Sequence, residues 1–407
     1  MRLTDEEHRM LDGREGEPVR MAMEMLAALG DIYGAERMQP VASAHVAGLS
    51  LKSHGLAGME WAEDLAASGA RVRIPTTMNV IGVDRSRDLG FAPEWKDPQI
   101  RIAEAYEAMG CYGTSSCVPY YLGFLPRLGE HVAWSESSAI IFANSVLGAR
   151  TNREGGPSAL AAALTGRTPC YGFHLDEGRL ATVAYRIETE IGTLSDFGAL
   201  GAYVGKQLGT GTPAFCGMEH ASPGIEQLVA LGAALASSGS AAMFHMVGIT
   251  PEAATLGQAT GGRPCEERLF GKSELEAGYA QMTSGKQRKV DLVAIGCPHC
   301  SLNQIADIAR LLAGRRVADG VTLWVHTNVA IKALARQLGF VDAIEQAGGL
   351  VTQDLCVVLS VPESLGFRTV ATNSPKMAFY APGGNGLPTW YGSVERCLDA
   401  AVTGAWS

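Results

Sequence analysis

At 407 residues the chain exceeds the usual size of one hydrophobic core, so two or three domains are expected, and an apolar fraction of 47% with 49 glycines excludes a disordered or fibrous protein. A net charge of -9 argues against nucleic acid as a main partner. No signal-type apolar region opens the chain and no run of about 18 apolar residues follows, so a cytoplasmic protein without membrane contact is expected, its nine cysteines serving as reduced thiols, metal ligands or catalytic groups.

Thr4-Asp5-Glu6-Glu7 has capping-box spacing, and Pro18 to Gly30 reads as an amphipathic helix with proline first and glycine last. Met38 to Ser53 passes from a short strand into a polar cluster that includes His45, a candidate cleft residue or simply a core histidine. Trp61 to Ala70 reads as a helix. Arg71 to Ile74 alternates as a strand feeding Thr76 and Asn79, where α/β proteins place ligand groups, although a capped turn reads the same way. The helix Pro98 to Met109 leads into a loop with Cys111, Ser115, Ser116 and Cys117. Its cysteine spacing is not that of a zinc finger, so the loop suits one ligand of a site completed elsewhere, with Cys117 favoured.

Trp134 to Gly172 is the most constrained stretch. It joins an apolar helical run, the cluster Asn152, Arg153 and Glu154, a Gly155-Gly156 turn and a small-residue helix led by Pro157. Free N–H groups at such a helix start, with Arg153 beside them, suit a carboxylate; a tightly packed helix pair is the alternative. Beyond it, Leu180 to Ile187, Pro213 to Gly217 and Ala241 to Val247 read as strands between the helices Phe197 to Gln207 and Pro223 to Ser238. This alternation predicts βαβ units and largely parallel sheets. The polar stretch Leu256 to Lys289 reads as a domain boundary. After it, Val290 to Ile295, Val321 to Val325, Val357 to Leu359 and Thr369 to Ala371 read as strands, with helices at Leu302 to Leu312 and Ala330 to Leu338.

Cys297-Pro-His-Cys300 follows the first of these strands, Cys356 lies in a turn, and Ser374 and Lys376 follow the last strand. The CxxC is open to three readings: a redox pair, half a zinc site, or part of an iron–sulfur site. No dinucleotide fingerprint, phosphate loop, nucleophile elbow or HExxH helix occurs, which disfavours those chemistries. A polar cleft for a small carboxylate-bearing substrate remains.

The motifs GTSSCVPYYLG, GEHVAWSESSAIIFANSVLGARTNREGGPSALAAALTGRTPCYG, LGAALASSGSAAMFHMVGITPEA, GCPHCSLNQ, QDLC and TNSPKMAFY closely resemble large subunits of the aconitase X family, in order and over nearly the entire chain. The resemblance implies mostly parallel α/β domains flanked by helices around a 2Fe–2S or 4Fe–4S cluster, here as 1–285, holding two interwoven domains, and 286–407, carrying Cys297 and Cys356. It implies hydro-lyase activity with Cys117, Cys297 and Cys356 as ligands, Cys300 and Cys111 being the fallback. Asn152, Arg153, Ser374 and Lys376 are the implied substrate contacts, joined by Thr76, Asn79, Glu154, Gly155 and Gly156. The chain closes at Ser407 without the superfamily's swivelling domain, so a separate small subunit is expected. The base then lies in that partner or among Ser115, Ser116 and His45, with Lys376 also catalytic. The mesophile-like composition favours cis-3-hydroxy-L-proline, dehydrated to Δ1-pyrroline-2-carboxylate. Mevalonate 5-phosphate is the alternative within the family and calls for extra cations near the cleft; a non-catalytic zinc- or redox-binding subunit is the alternative outside it.

Overall fold

The computed structural model describes residues 1–218 and 221–407. The first part of the chain contributes β1 (Met38–Pro40), β2 (Ala44–Val46), β3 (Thr76–Met78), β4 (Ala133–Trp134) and β5 (Arg167–Pro169). β2 runs parallel between β3 and β4, with Ala44 opposite Thr76 on one side and Ala133 on the other, while β1 and β5 form an antiparallel pair. A second sheet, ordered β8-β7-β6-β9, joins β6 (Val183–Ile187), β7 (Pro213–Cys216), β8 (His245–Met246) and β9 (Glu266–Phe270), all parallel. The third, ordered β12-β11-β10-β13-β14, joins β10 (Leu292–Ile295), β11 (Thr322–His326), β12 (Gly349–Thr352), β13 (Val370–Thr372) and β14 (Thr389–Tyr391), again all parallel. Each parallel sheet draws on its own continuous stretch of chain.

Local chemistry explains most boundaries. The Thr4 hydroxyl accepts the Glu7 N–H at 3.3 Å while the Glu7 carboxylate accepts the Thr4 N–H at 2.8 Å, which starts the helix Asp5–Leu11. Leu194–Leu208 begins at a Thr193 cap, and its alanine-rich face packs against Ile225–Ser238, burying Ala199, Ala202 and Ala234. Phe197, Phe215, Phe244 and Phe270 fill the second sheet's core, each side chain contributing about 1.5–3 kcal/mol by burial.

Three sequence expectations fail for identifiable reasons. Arg71 to Ile74 is not a strand; the strand is Thr76–Met78, where the buried threonines pair with β2. The polar stretch Leu256 to Lys289 is not a boundary along its whole length: it supplies β9 and the helix Lys272–Gln281, and only its last part, 282–289, joins the second sheet's unit to the third's. β9 is a sheet edge, and its polarity, with Arg268 paired to Glu266, is what an exposed edge requires. Val357 to Leu359 forms a turn in which the Ser360 N–H returns to the Cys356 carbonyl at 3.0 Å.

β10 pairs with β11 on one side and β13 on the other, and β6 likewise lies between β7 and β9. The crossover direction reverses at these strands, and the crevice outside their carboxyl ends is where open α/β sheets bind ligands.

Candidate active site

β10 leads straight into the first of three cysteine-bearing loops. Gly296 has φ +103°, and a Cβ there would meet the His326 carbonyl at 2.3 Å, so glycine is needed for the turn that presents Cys297. The Cys356 loop is held by a parallel bridge, with the Cys356 N–H on the Ile81 carbonyl at 2.9 Å and the Ile81 N–H on the Asp354 carbonyl at 2.9 Å. Cys117 closes the group: its sulfur accepts the His299 N–H at 3.3 Å. The Cys297 and Cys356 side chains interact directly, and Cys117 acts electrostatically on both. The contact with Cys297 holds Cys356 below the ordinary thiol value, whereas burial and then Glu136 push Cys117 up.

Two residues with positive φ that are not glycine, Ser115 at +38° and Asp354 at +62°, stand two places before Cys117 and Cys356. Such backbone is costly and persists only when its surroundings fix it. Arg85 does so for both: its guanidinium lies 3.4 Å from the Ser115 hydroxyl and 3.5 Å from the Asp354 carboxylate, and donates to Glu107 at 2.5 Å.

Beside the thiols, Lys376 pairs with Glu136 and donates to the hydroxyls of Ser137 at 3.0 Å and Ser138 at 3.2 Å. Burial opposes the ammonium, but Glu136 and the neighbouring cysteines outweigh it and hold the Lys376 pKa above its ordinary value. Glu136 follows β4 and caps the helix Ser137–Phe142 through the Ala139 N–H at 2.7 Å. Sequence reasoning missed Glu136. Its signal is a lone carboxylate between Trp134 and the apolar run from Ala139, a flank that buries it. His45, at 0% exposure, bonds Thr77 through Nδ1 at 2.8 Å and leaves Nε2 without a partner. Burial lowers its pKa to about 4, with Glu136 and Lys376 acting in opposite senses. Asn79 also has a buried, unpartnered Oδ1. Asn79 and Glu136 stand just past the carboxyl ends of β3 and β4, and His45 lies within β2 between them.

The structure gives other candidates different work. Ser374 caps the helix Pro375–Gly384 and donates to the Cys297 carbonyl, so it positions the cysteine loop. Ser116 is tied to His299 Nδ1 at 3.3 Å and Ser115 to Arg85. Thr76 donates to the Ile74 carbonyl at 2.9 Å; its neighbour Thr77 faces His45. Asn152 bonds the Tyr171 carbonyl and the Phe173 N–H, and the Glu154 carboxylate accepts from Ser158 and Thr168, so both also hold the fold together. Arg153 is exposed and donates to the Ala236 carbonyl at 3.2 Å. Gly155 and Gly156 open the helix Gly156–Thr165 against Ser158 and Ala47. Among the described residues, none of the side-chain hydrogen bonds of Asn152 through Gly156 is with the cysteine loops or Lys376. Cys300 and Cys111 lie in hydrophobic clusters, and burial raises each to about 12. Cys297 therefore faces Cys356 rather than its CxxC partner, which disfavours a redox pair.

Three adjacent loop thiols beside a held cation are a donor set suited to a sulfur-bridged iron cluster. Among the described residues, no three metal-ligating side chains lie close enough to hold a single ion. None of the described helices is long and apolar enough to cross a membrane.

Comparison with known proteins agrees with this geometry. Family models described as the first, second and third domains of aconitase X match residues 1–177, 181–280 and 290–403. The chain is 48% identical to the phosphomevalonate dehydratase large subunit of Methanothermobacter thermautotrophicus, over 95% of each protein. It is 38% identical to the cis-3-hydroxy-L-proline dehydratase of Pseudomonas aeruginosa, over 97% of this chain and 69% of that protein. The crystal structure of Thermococcus kodakaraensis aconitase X in its holo-form superposes with a TM-score of 0.90 at 42% identity, covering 98% of this chain and 100% of that one.

Proposed function

The chain belongs to the aconitase X family of hydro-lyases, and on that premise we propose that it is the large subunit of an iron–sulfur dehydratase acting on mevalonate 5-phosphate. The observation that carries the reading is the convergence of Cys117, Cys297 and Cys356 with the Glu136–Lys376 pair at the carboxyl ends of parallel sheets. Five phosphomevalonate dehydratase large subunits are 36–48% identical over almost their whole lengths, four of them at 41% or more, against 38% and 35% for two hydroxyproline dehydratases of which the match spans 69%. The large-subunit names also support a separate small subunit as partner.

The reaction removes a proton α to a carboxylate and expels hydroxide from the β carbon, so both developing charges need stabilisation. Cys117, Cys297 and Cys356 would hold the cluster, which supplies a Lewis acid for the leaving hydroxyl when bound. Lys376, kept cationic by Glu136, has its three N–H donors on Glu136, Ser137 and Ser138, so it favours the substrate carboxylate, and the charge that grows on it as the α proton leaves, through its positive field. Buried neutral His45 and Asn79 offer unpartnered polar atoms to orient the substrate. The base comes from the small subunit, since Ser115 and Ser116 are already engaged.

Hydroxyproline is the second reading, favoured by the 38% identical Pseudomonas enzyme and expected from composition. Both substrates share the α-proton, β-hydroxyl chemistry. Co-expression with the small subunit, purification without oxygen, and paired assays on the two substrates decide between them. Consumption of mevalonate 5-phosphate by a brown complex is expected; a colourless, iron-free but active complex would sink the cluster assignment.

A further inference from the structure

The polar cluster that follows β2 contains a residue to which the reaction gives no task, Lys52. Leu51–Ala67 is helical apart from Gly55, whose φ of +67° separates the first turn from the rest. That turn is fixed from several directions. The Ser53 hydroxyl donates to the Ser50 carbonyl at 3.0 Å, the His54 N–H returns to the same carbonyl at 2.7 Å, and His54 Nδ1 lies 3.1 Å from the Gly48 carbonyl. Carried on this turn, the Lys52 ammonium crosses from the first domain to the third and donates to the carbonyls of Val358 and Ser360 at 3.3 Å each.

Both carbonyls belong to the turn that starts at Cys356. The Leu359 and Ser360 N–H groups return to the Cys356 carbonyl at 3.1 and 3.0 Å, and the Val358 and Leu359 N–H groups also act as donors to the Cys356 sulfur. The Val358 carbonyl and the Leu359 N–H are the two ends of one peptide unit. An ammonium on the oxygen end polarises that unit and makes its N–H a stronger donor, as hydrogen bonds in series strengthen one another. Lys52 and the Cys356 sulfur also interact directly through charge. The buried Ser360 carbonyl takes the Asn385 amide at 2.9 Å as well, so the far end of the turn is closed by one charged and one neutral donor.

We propose that Lys52 is a positioning residue that tunes the iron centre from outside it: through the 358–359 peptide it holds positive charge against the Cys356 sulfur, and so favours the more negatively charged, reduced state of a bound cluster. The assignment rests on the cluster reading above. Net charge and hydrogen bonds to the sulfurs are levers by which a protein sets the potential of such a group, and Lys52 supplies both from one side chain.

The test is a charge series at position 52 in the complex with its small subunit, purified without oxygen. Dye-mediated redox titration, followed by the visible absorption of the cluster, reads the reduction midpoint. Lys52→Arg is expected to keep it. Lys52→Met is expected to lower it, so that the oxidised-to-reduced ratio at a fixed potential rises about threefold or more, and Lys52→Glu is expected to give about twice that shift on the logarithmic scale. Lys52 is exposed, so urea unfolding should change little in all three. A residue that only holds the turn in shape would give the methionine and glutamate variants the same shift. A cluster-bearing complex whose reduction midpoint does not follow the charge at position 52 overturns the assignment alone; an active complex that carries no iron overturns both the assignment and the cluster reading.

Discussion

Replacing Glu136 by glutamine tests whether the charge pair at the centre of the site is as dry as the geometry makes it. The side chains of Glu136 and Lys376 are 3% and 16% exposed. Glutamine keeps the shape and the carbonyl that caps Ala139, so the cap is preserved and only the charge goes. Lys376 is then left with the hydroxyls of Ser137 and Ser138. Removing one member of a buried pair costs about 3–5 kcal/mol, and because hydrogen bonds remain we expect about 3 kcal/mol for Glu136→Gln and a similar loss for Lys376→Met. The double variant buries no unpaired charge and should lie well above the sum of the two, a coupling of about 2–3 kcal/mol. Urea unfolding of the isolated chain, followed by circular dichroism, measures this. Turnover by the complex should be lost in all three variants, including the stable double one. Strictly additive losses of stability would refute the argument, since they would mean that water screens the pair.

Arg85→Ala removes the brace shared by the strained residues of two cysteine loops, and iron should be lost to a chelator about tenfold faster or more, read as bleaching of the visible absorption. Gly156→Ala places a Cβ 2.4 Å from the Ala47 carbonyl, so the helix start must shift; a cost of about 1–3 kcal/mol is expected in thermal melts. His174 and His326 are both lowered to about 3, chiefly by burial and then by His131 and His299 respectively. Their folded values lie below the unfolded 6.5, so the unfolded chain takes up protons first and stability falls as pH drops below about 6.5. At pH 5.5 each should cost about 1.4 kcal/mol relative to pH 8, and His326→Gln should flatten that slope in urea titrations.

Much of this was legible because the relevant chemistry is local. The Thr4 capping box, the small-residue helices and the strand–helix alternation specify their own conformations, and parallel sheets follow from the alternation. The cysteine loops and Lys376 were legible as residue types that few other roles explain. Glu136 was hidden because a glutamate ahead of a helix reads as an ordinary exposed cap; only its burial against Lys376, 240 residues away in sequence, gives it a further role. β9 was hidden by its edge position, where polarity replaces the apolar alternation of a covered strand. Val357 to Leu359 has strand-forming residues, but the chain there must leave β12 and cross to the far side of β10, and that crossing prevails over propensity. The internal partners of Asn152 and Glu154 were not legible, because Tyr171, Phe173 and Thr168 come to them only through the fold.

The cysteine loops hang from two different sheets, with Cys117 in the first part of the chain and Cys297 and Cys356 in the third, and the Arg85 brace spans both. A ribosome releasing this chain therefore exposes Cys117 long before its companions exist. On the proposed ligand set, metal delivered early would meet Cys117 alone, and only when the last sheet has folded against the first would all three thiols stand together. Insertion of the proposed cluster would then follow the docking of the third sheet on the first.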